Sequence, residues 1–513
     1  MNPSRTGMLA NGNVAYWLAR RAAIHPRRTA IVYCHQPDSR ETWTFEELDG
    51  AARRLCRWLR DSGIGAGDRV AFHDQNDVRF IITLFAVAYL GAVFVPLNFR
   101  LSGVELADML GDCDARLLIH GAGFDEHRQV VARHCPELRY LRSDRDTHDE
   151  FGAAIDAAQH ADVRVVELPW TEPAWLLYTS GSTGQPKGVV LTHGNLFWNA
   201  LNTLLIQGGL PADRLLISAP LFHAAPVSSF METFFRGATV HLERSFDAGR
   251  LLQRVASERI TVVAGVPTMY TMMAQHPGFA DADLSALRSI IVGGAPVSQV
   301  LIDTYRARGV AVIQRYGQTE AAPLVTGLPL DAPEEKWNTA GLPGLFVEMR
   351  IADEDHAGIG QIEARGPNIM QGYWRRDDDT RAALRDGWLR TGDLGRVDEA
   401  GYLKVVGRSK DMIISGGENV YAGEVEAKLA AVPGLSEVAV IGIPHEKWGE
   451  AVCAIVSRRV GAKVEARDVL ACLDGQLARY KLPSRVVFVD ALPKNGAGKI
   501  DKVTLRRTYA QPA

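Results

Sequence analysis

The sequence predicts an α/β protein: a large N-terminal domain of doubly wound, mostly parallel sheets with a small β-barrel-like subdomain, then a small α+β C-terminal domain. Three observations predict it. Helical and β-rich runs alternate between Thr44 and His120, as they do when strand–helix–strand units build a parallel sheet. The alternation returns between Leu215 and Ile313, and the texture changes near Gly341 and again near Lys410. A chain of 513 residues also exceeds what one hydrophobic core serves.

Each element follows from its own residues. Thr44 opens TFEELDGAARRLCRWLRDSG, Glu47 completes a capping box, Leu48, Leu55 and Leu59 form an apolar face, and Gly63 is the stop. DRVAFHD reads as a strand. The uncharged run from Phe80 to Phe99 approaches bilayer length, yet Gly91 and Pro96 divide it into FIITLFAVAYL and AVFVPLN, a buried helix running into a buried strand. Ser102 starts a second capping-box helix, and ARLLIH is another strand. ITVVAGVP, SIIVGGAP and VAVIQRYG read as buried strands that end in glycine- or proline-containing turns, at the edge where open α/β sheets hold ligands. From about Gly341 to Val406 short glycine-rich strands suit a small barrel. After Arg408, two helical runs (AGEVEAKLAAV, ARDVLACLDGQLARY) and three strands make a compact α+β unit. The expected division is 1–409 and 410–513.

Composition narrows the function classes. Hydrophobic residues at 47% and charged residues at 23% describe an ordinary globular protein. A net charge of −3 provides no global field for nucleic acid or an anionic membrane. Six scattered cysteines without a CxxC pair argue for reduced, buried thiols rather than a disulfide framework or zinc cluster. The N-terminus lacks an apolar signal core, so the cytoplasm is the expected compartment and no transmembrane segment is expected. Whether the chain is a monomer or a homodimer is left open.

The segment richest in chemistry is LLYTSGSTGQPKGVV, Leu176–Val190. Its glycines let backbone N–H groups converge on an anion, its hydroxyls add donors, and Lys187 adds a point charge. The lysine stands between proline and glycine, so this is not the GxxxxGK[ST] loop of a P-loop ATPase. Here the sequence resembles the adenylate-forming superfamily of acyl-CoA synthetases, peptide-synthetase adenylation domains and beetle luciferases. The resemblance continues in order through Phe222–His223, YGQTE at Tyr316–Glu320, TGD at Thr391–Asp393, GRSKD at Gly407–Asp411 and PKNGAGK at Pro493–Lys499.

The resemblance implies roles residue by residue. Thr179, Ser180, Gly181, Ser182, Thr183, Gly184 and Lys187 would cradle phosphates, with Thr183 also counted as catalytic. Gly293, Gly294 and Ala295 would wall the adenine, Tyr316 would stack on it beside Gly317, and Thr319 would touch the α-phosphate. Glu320 would ligate Mg²⁺, since a carboxylate in a loop at a strand's carboxyl end can hold the ion against phosphate oxygens. Asp393 and Arg408 would hold the ribose. His223 would gate an acyl pocket that includes Val227, Met231, Gly265, Val266 and Pro267. Lys410 would be the hinge, and Gly416 and Gly417 would pass the pantetheine arm of coenzyme A. Lys499, otherwise an unremarkable exposed lysine, would bridge carboxylate and phosphate as charge shifts between them.

The implied reaction is ATP-dependent thioester formation in two steps through an acyl-adenylate, with ATP, Mg²⁺ and coenzyme A required. Apolar pocket segments without lysine or arginine point to a medium- or long-chain fatty acid. The alternatives are an aryl-CoA ligase and an acid–AMP ligase that loads an acyl carrier protein. A nucleotide sensor without turnover would need a damaged site, and all five charged motif residues are present.

Overall fold

The computed structural model describes residues 11–509 apart from 37–38, 146–148, 159–162, 181–185, 416–417, 447, 474–475, 478 and 496–497. The described residues form two compact units. One comprises the stretches within Met1–Val297, Asp303–Met349 and Ala364–Leu389, the other those within Ser298–Ile302, Arg350–Glu363 and Arg390–Ala513. Residues 390–409, which the sequence reading assigns to the larger domain, group here with the C-terminal unit.

The larger unit is α/β with two sheets. A nine-stranded sheet runs in the order Leu342–Pro343, Leu324–Gly327, Ala311–Gly317, Ser289–Gly293, Val262–Gly265, Arg214–Ile217, Thr239–Glu243, Thr29–Cys34, Glu41–Thr44. Its central strands are parallel, with Gly265 opposite Val292 and Gly293 opposite Arg315. The strand Thr29–Cys34 lies parallel to Thr239–Glu243 across some two hundred residues of chain, a pairing that no local pattern announces. A seven-stranded sheet contains Arg69–His73, Val93–Pro96 and Ala115–His120 in parallel, and the hairpin Pro173–Ser180/Pro186–Thr192.

Local chemistry sets these elements as expected. Thr44 and Ser102 both close capping boxes, on the helices Phe45–Asp61 and Gly103–Asp112. Gly91 terminates the helix Val78–Leu90 with φ 76°, a backbone region where glycine carries no Cβ penalty. That helix is almost wholly buried because it packs against the helix Phe45–Asp61 as well as the helix Ala224–Arg236. Phe85 stacks on Phe234 at 5.7 Å and meets Phe230 at 6.2 Å, both on the helix Ala224–Arg236. Uncharged sequence thus marks a shared core rather than a membrane span, and among the described residues no helix is long and apolar enough to cross a membrane.

A chain of alternating charge crosses the base of the same helix. Arg288 and Arg236 each lie 2.8 Å from Asp213, Arg236 is 3.4 Å from Glu232, and Arg315 is 3.0 Å from Glu232. Glu232 is 1% exposed, so its carboxylate is tolerable only because two guanidiniums share it.

A small sheet carries Glu348–Ala352, Gly360–Arg365, Leu384–Arg385, Trp388–Val397 and Leu403–Arg408. In the last two strands Asp393 lies opposite Arg408. The rest of the second unit is an α+β layer of five strands with helices Ala422–Leu429, Ala466–Leu473 and Lys502–Tyr509. Strand alternation there divides the core. Val440, Val452 and Val456 pack with Val425 and Leu429, whereas Ile441, Cys453 and Ile455 pack with Leu505. The second helix is shorter than ARDVLACLDGQLARY suggests, ending at Leu473. The cysteines are free and four are buried, but Cys472 is exposed and Cys135 half-buried; Cys472 is exposed although Val469 and Leu473 of its helix are buried, and apolar composition alone does not reveal that.

Replacing Glu232 with Leu leaves Arg315 buried without its counter-charge. The expected loss is about 3–5 kcal/mol of unfolding free energy, read from denaturant midpoints; a loss below about 1 kcal/mol would show that the pair is not buried in the folded state.

Candidate active site

Three parallel strands of the nine-stranded sheet end in glycine, at Gly265, Gly293 and Gly317. Gly317 has no substitute. Its φ is +157°, and a Cβ there would stand 1.8 Å from the carbonyl oxygen of Pro323. The close approach folds the chain into the short 3₁₀ turn Thr319–Ala321, which carries Glu320. Amides, not charges, lock this turn. Asn368, fully buried, donates from Nδ2 to the carbonyls of Ala321 at 2.7 Å and Leu324 at 2.8 Å. Asn199 accepts from Leu324 N at 3.0 Å, and Met370 N donates to the Glu320 carbonyl at 2.8 Å.

The Glu320 side chain is addressed from the segment after Gly372. Tyr373 donates its hydroxyl to Oε1 at 2.8 Å. Burial, then the Glu320 charge, raises the Tyr373 pKa, so the phenol stays a donor. One carboxylate oxygen therefore remains for another partner. Among the described residues no group of three histidine, cysteine or acidic side chains could hold a metal ion. A lone carboxylate nonetheless fits Mg²⁺, which is commonly bound by one or two carboxylates together with substrate phosphates and water.

Lys187 is the second residue of the strand Pro186–Thr192, opposite Thr179. Its Nζ lies 2.6 Å from Asp379 Oδ1 and 5.3 Å from the Tyr373 ring centroid. Gly181, Ser182, Thr183 and Gly184 lie outside the described residues, as do Gly416 and Gly417, and of Ser180 only its strand position is described. Gly293 is half-buried, while Gly294, at φ +82°, and Ala295 are exposed. Tyr316 is packed against the core beside Gly317, so the ends of two adjacent strands carry Gly293, Tyr316, Thr319 and Glu320, and Tyr373 meets both Glu320 and Lys187 of the other sheet.

His223 is the N-cap residue of the helix Ala224–Arg236. Its ring meets Phe222 with centroids 4.2 Å apart, and Phe99 meets Phe222 edge-on at 5.7 Å. Buried Asn76 sets the preceding loop, accepting from Leu221 N at 2.8 Å and donating to the Ala219 carbonyl at 3.0 Å. Of the pocket candidates, Val227 and Met231 are buried on that helix, and Gly265, Val266 and Pro267 are half-buried. Arg315 approaches the same helix, donating to Ser229 Oγ at 3.3 Å as well as to Glu232. The absence of cations from the pocket segments thus missed a guanidinium delivered by a neighbouring strand, and Glu232 neutralises it.

In the second unit Asp393 and Arg408 pair at 3.1 Å. Lys499 belongs to the same electrostatic group. Its ammonium is held below the usual lysine range by desolvation first and the Arg408 guanidinium second, while Asp393 acts the other way; the residue itself is exposed, so that desolvation is partial. Lys410 is exposed on the 3₁₀ turn Ser409–Asp411, whose Asp411 is held by Arg506 at 2.5 Å.

Known proteins resemble the chain over nearly its whole length. The AMP-binding enzyme family model matches residues 18–374, and the AMP-binding enzyme C-terminal domain matches residues 424–499. A feruloyl-CoA synthase of Amycolatopsis sp is 43% identical over 98% of this chain and 100% of its own. A long-chain-fatty-acid–CoA ligase of Mycobacterium tuberculosis is 36% identical over 97% and 99%. Among solved structures, ATP-bound MatB from Rhodopseudomonas palustris superposes with a TM-score of 0.89 at 32% identity, covering 98% of this chain and 99% of that one.

Gly317→Ala forces the Pro323 carbonyl away and with it the turn. The variant is expected to lose roughly 1–3 kcal/mol or more of stability, measured by thermal or denaturant unfolding, and an unchanged midpoint would contradict the close approach.

Proposed function

The chain belongs to the AMP-binding enzyme family, and from that membership we propose that it makes the coenzyme A thioester of an aromatic monocarboxylic acid. Its relatives are acyl- and aryl-CoA ligases, and it is an acid–thiol ligase of the AMP-forming kind. The observation that carries the aromatic reading is the 43% identity with a feruloyl-CoA synthase over nearly the whole chain. The half-buried Phe222–His223 pair, with Phe99 on its edge, supports it. Flat ring faces of this kind favour stacked or edge-on aromatic partners by about 0.5–1.5 kcal/mol beyond area burial. A second reading, a medium- or long-chain fatty acid, is favoured by the 36% identical fatty-acid ligase and by apolar Val227, Met231, Val266 and Pro267.

In the first step a carboxylate oxygen attacks the α-phosphorus of ATP and pyrophosphate leaves. In the second the coenzyme A sulfur attacks the acyl carbon and AMP leaves. Glu320 would hold Mg²⁺, which neutralises phosphate charge when bound. Lys187 screens the outer phosphates, Tyr316 stacks on adenine, and Thr319 donates to the α-phosphate. Asp393, paired with Arg408 at 3.1 Å, accepts from ribose hydroxyls. Lys499 supplies the ammonium that carboxylate and α-phosphate share as the new bond forms. Lys410 is the hinge about which the C-terminal region turns between steps.

A panel of acids with ATP, assayed for pyrophosphate release with and without coenzyme A, tests the assignment. Hydroxycinnamate-type acids are expected to show kcat/KM at least about tenfold above straight-chain fatty acids. The reverse order would establish the second reading, and thioester on a carrier protein but not on coenzyme A would overturn the choice of thiol. Lys499→Ala is expected to lower adenylate formation by about a hundredfold or more while conversion of supplied acyl-adenylate to thioester persists; equal losses in both half-reactions would refute that role.

A further inference from the structure

One turn reaches both charged groups of the phosphate side of this site. Gly372–Tyr373 pairs with Val190 and Val189 on the Lys187 strand, and Trp374 N donates to the Gly188 carbonyl at 2.7 Å. Thr380 ties the turn, accepting from Tyr373 N and donating to the Arg376 carbonyl, each at 2.9 Å. A side chain at Gly372 would strike Thr380 Cγ2 at 2.8 Å, so the turn is closed tightly. From this frame Tyr373 points to Glu320, and Asp379 points to Lys187.

Asp379 has two possible partners. Its Oδ1 lies 2.6 Å from Lys187 Nζ, and its Oδ2 lies 4.0 Å from Arg376 Nη1. Arg376 Nε is a buried donor with no hydrogen-bond acceptor, which is unfavourable in a settled arrangement. Lys187 is 14% exposed, so it requires an anion whether or not nucleotide is present.

We propose that Asp379 is a positioning residue that acts as an exchangeable counter-anion for Lys187, competing with the phosphates of ATP and pyrophosphate. When a polyphosphate binds, its greater charge takes the ammonium, and the Asp379 carboxylate turns to Arg376 and satisfies that unused donor. When pyrophosphate dissociates, Asp379 recaptures Lys187. The residue thereby weakens both polyphosphates, keeps Lys187 aimed at their site and speeds release of the first product. This rests on the reading of Lys187 as a phosphate ligand.

The test compares wild type with Asp379→Asn and Arg376→Met in the full chain. ATP and pyrophosphate dissociation constants are measured by calorimetry, and KM for ATP by acid-dependent pyrophosphate release. Asp379→Asn is expected to tighten both polyphosphates by about tenfold, whereas Arg376→Met, which removes the alternative partner, weakens them. Opposite signs from neighbouring substitutions are not what general loosening of the turn produces. Unchanged or weakened binding in Asp379→Asn would overturn the proposal, as would the same sign in both variants. Should Asp379→Asn fail to fold, the proposal stands or falls on whether Arg376→Met weakens both ligands. A wild-type protein that releases no pyrophosphate with any acid would instead sink the ligase reading, and the calorimetric comparison would still decide the role of Asp379.

Discussion

Charge compensation in a desolvated place is the constraint on which this site depends. A carboxylate that attacks a polyphosphate brings two anions together, so the protein must store cations near the reaction without leaving them unbalanced beforehand. Lys187 meets that condition through Asp379 at 2.6 Å, and Arg315 through Glu232 at 3.0 Å, both within the larger unit. Each cation is held by an acid that differs in how readily it can leave. Asp379 has a second cation, the Arg376 guanidinium, beside it, whereas Glu232 is nearly sealed among Arg315 and Arg236. The first pair suits exchange and the second permanence.

The neutral scaffold follows from the same constraint. Asn368, Asn199 and Asn76 fix the loops that carry Glu320 and His223 by hydrogen bonds to backbone groups. An amide fixes a loop without adding charge to a site whose charges are already assigned. Gly317 lets the Pro323 carbonyl approach so that Glu320 emerges from a tight turn. The motif glycine and the buried asparagines are therefore parts of one device, since the first permits the turn and the others hold it shut.

Legibility in the sequence followed the range of the interactions. Capping boxes at Thr44 and Ser102, the Gly91 stop and the glycine-ended strands are local patterns, and the structure contains them all. The strand Thr29–Cys34 escaped because its partner Thr239–Glu243 is remote in the chain. At the site, Tyr316, Glu320 and Lys187 stood inside compact motifs. Tyr373, Asp379 and Asn368 stood in a segment with no signal of its own, yet they make the contacts that hold Glu320 and Lys187. Arg315 was hidden in another way, next to a motif residue but directed at a helix some eighty positions earlier.

That last pair bears on selectivity. A guanidinium near the helix that carries Val227 and Met231 would ordinarily invite a second carboxylate. Glu232 has already taken it, in a bond that a dicarboxylic acid could win only by leaving Glu232 buried between Arg236 and an empty place. Losing one member of such a network is penalised more heavily than a new ion pair repays. If Val227 and Met231 line the acyl pocket as proposed, a dicarboxylic acid would meet there a charge pair that is already closed. On the proposed reading, the Phe222–His223 faces would be what a flat, singly charged acid meets beside that closed pair.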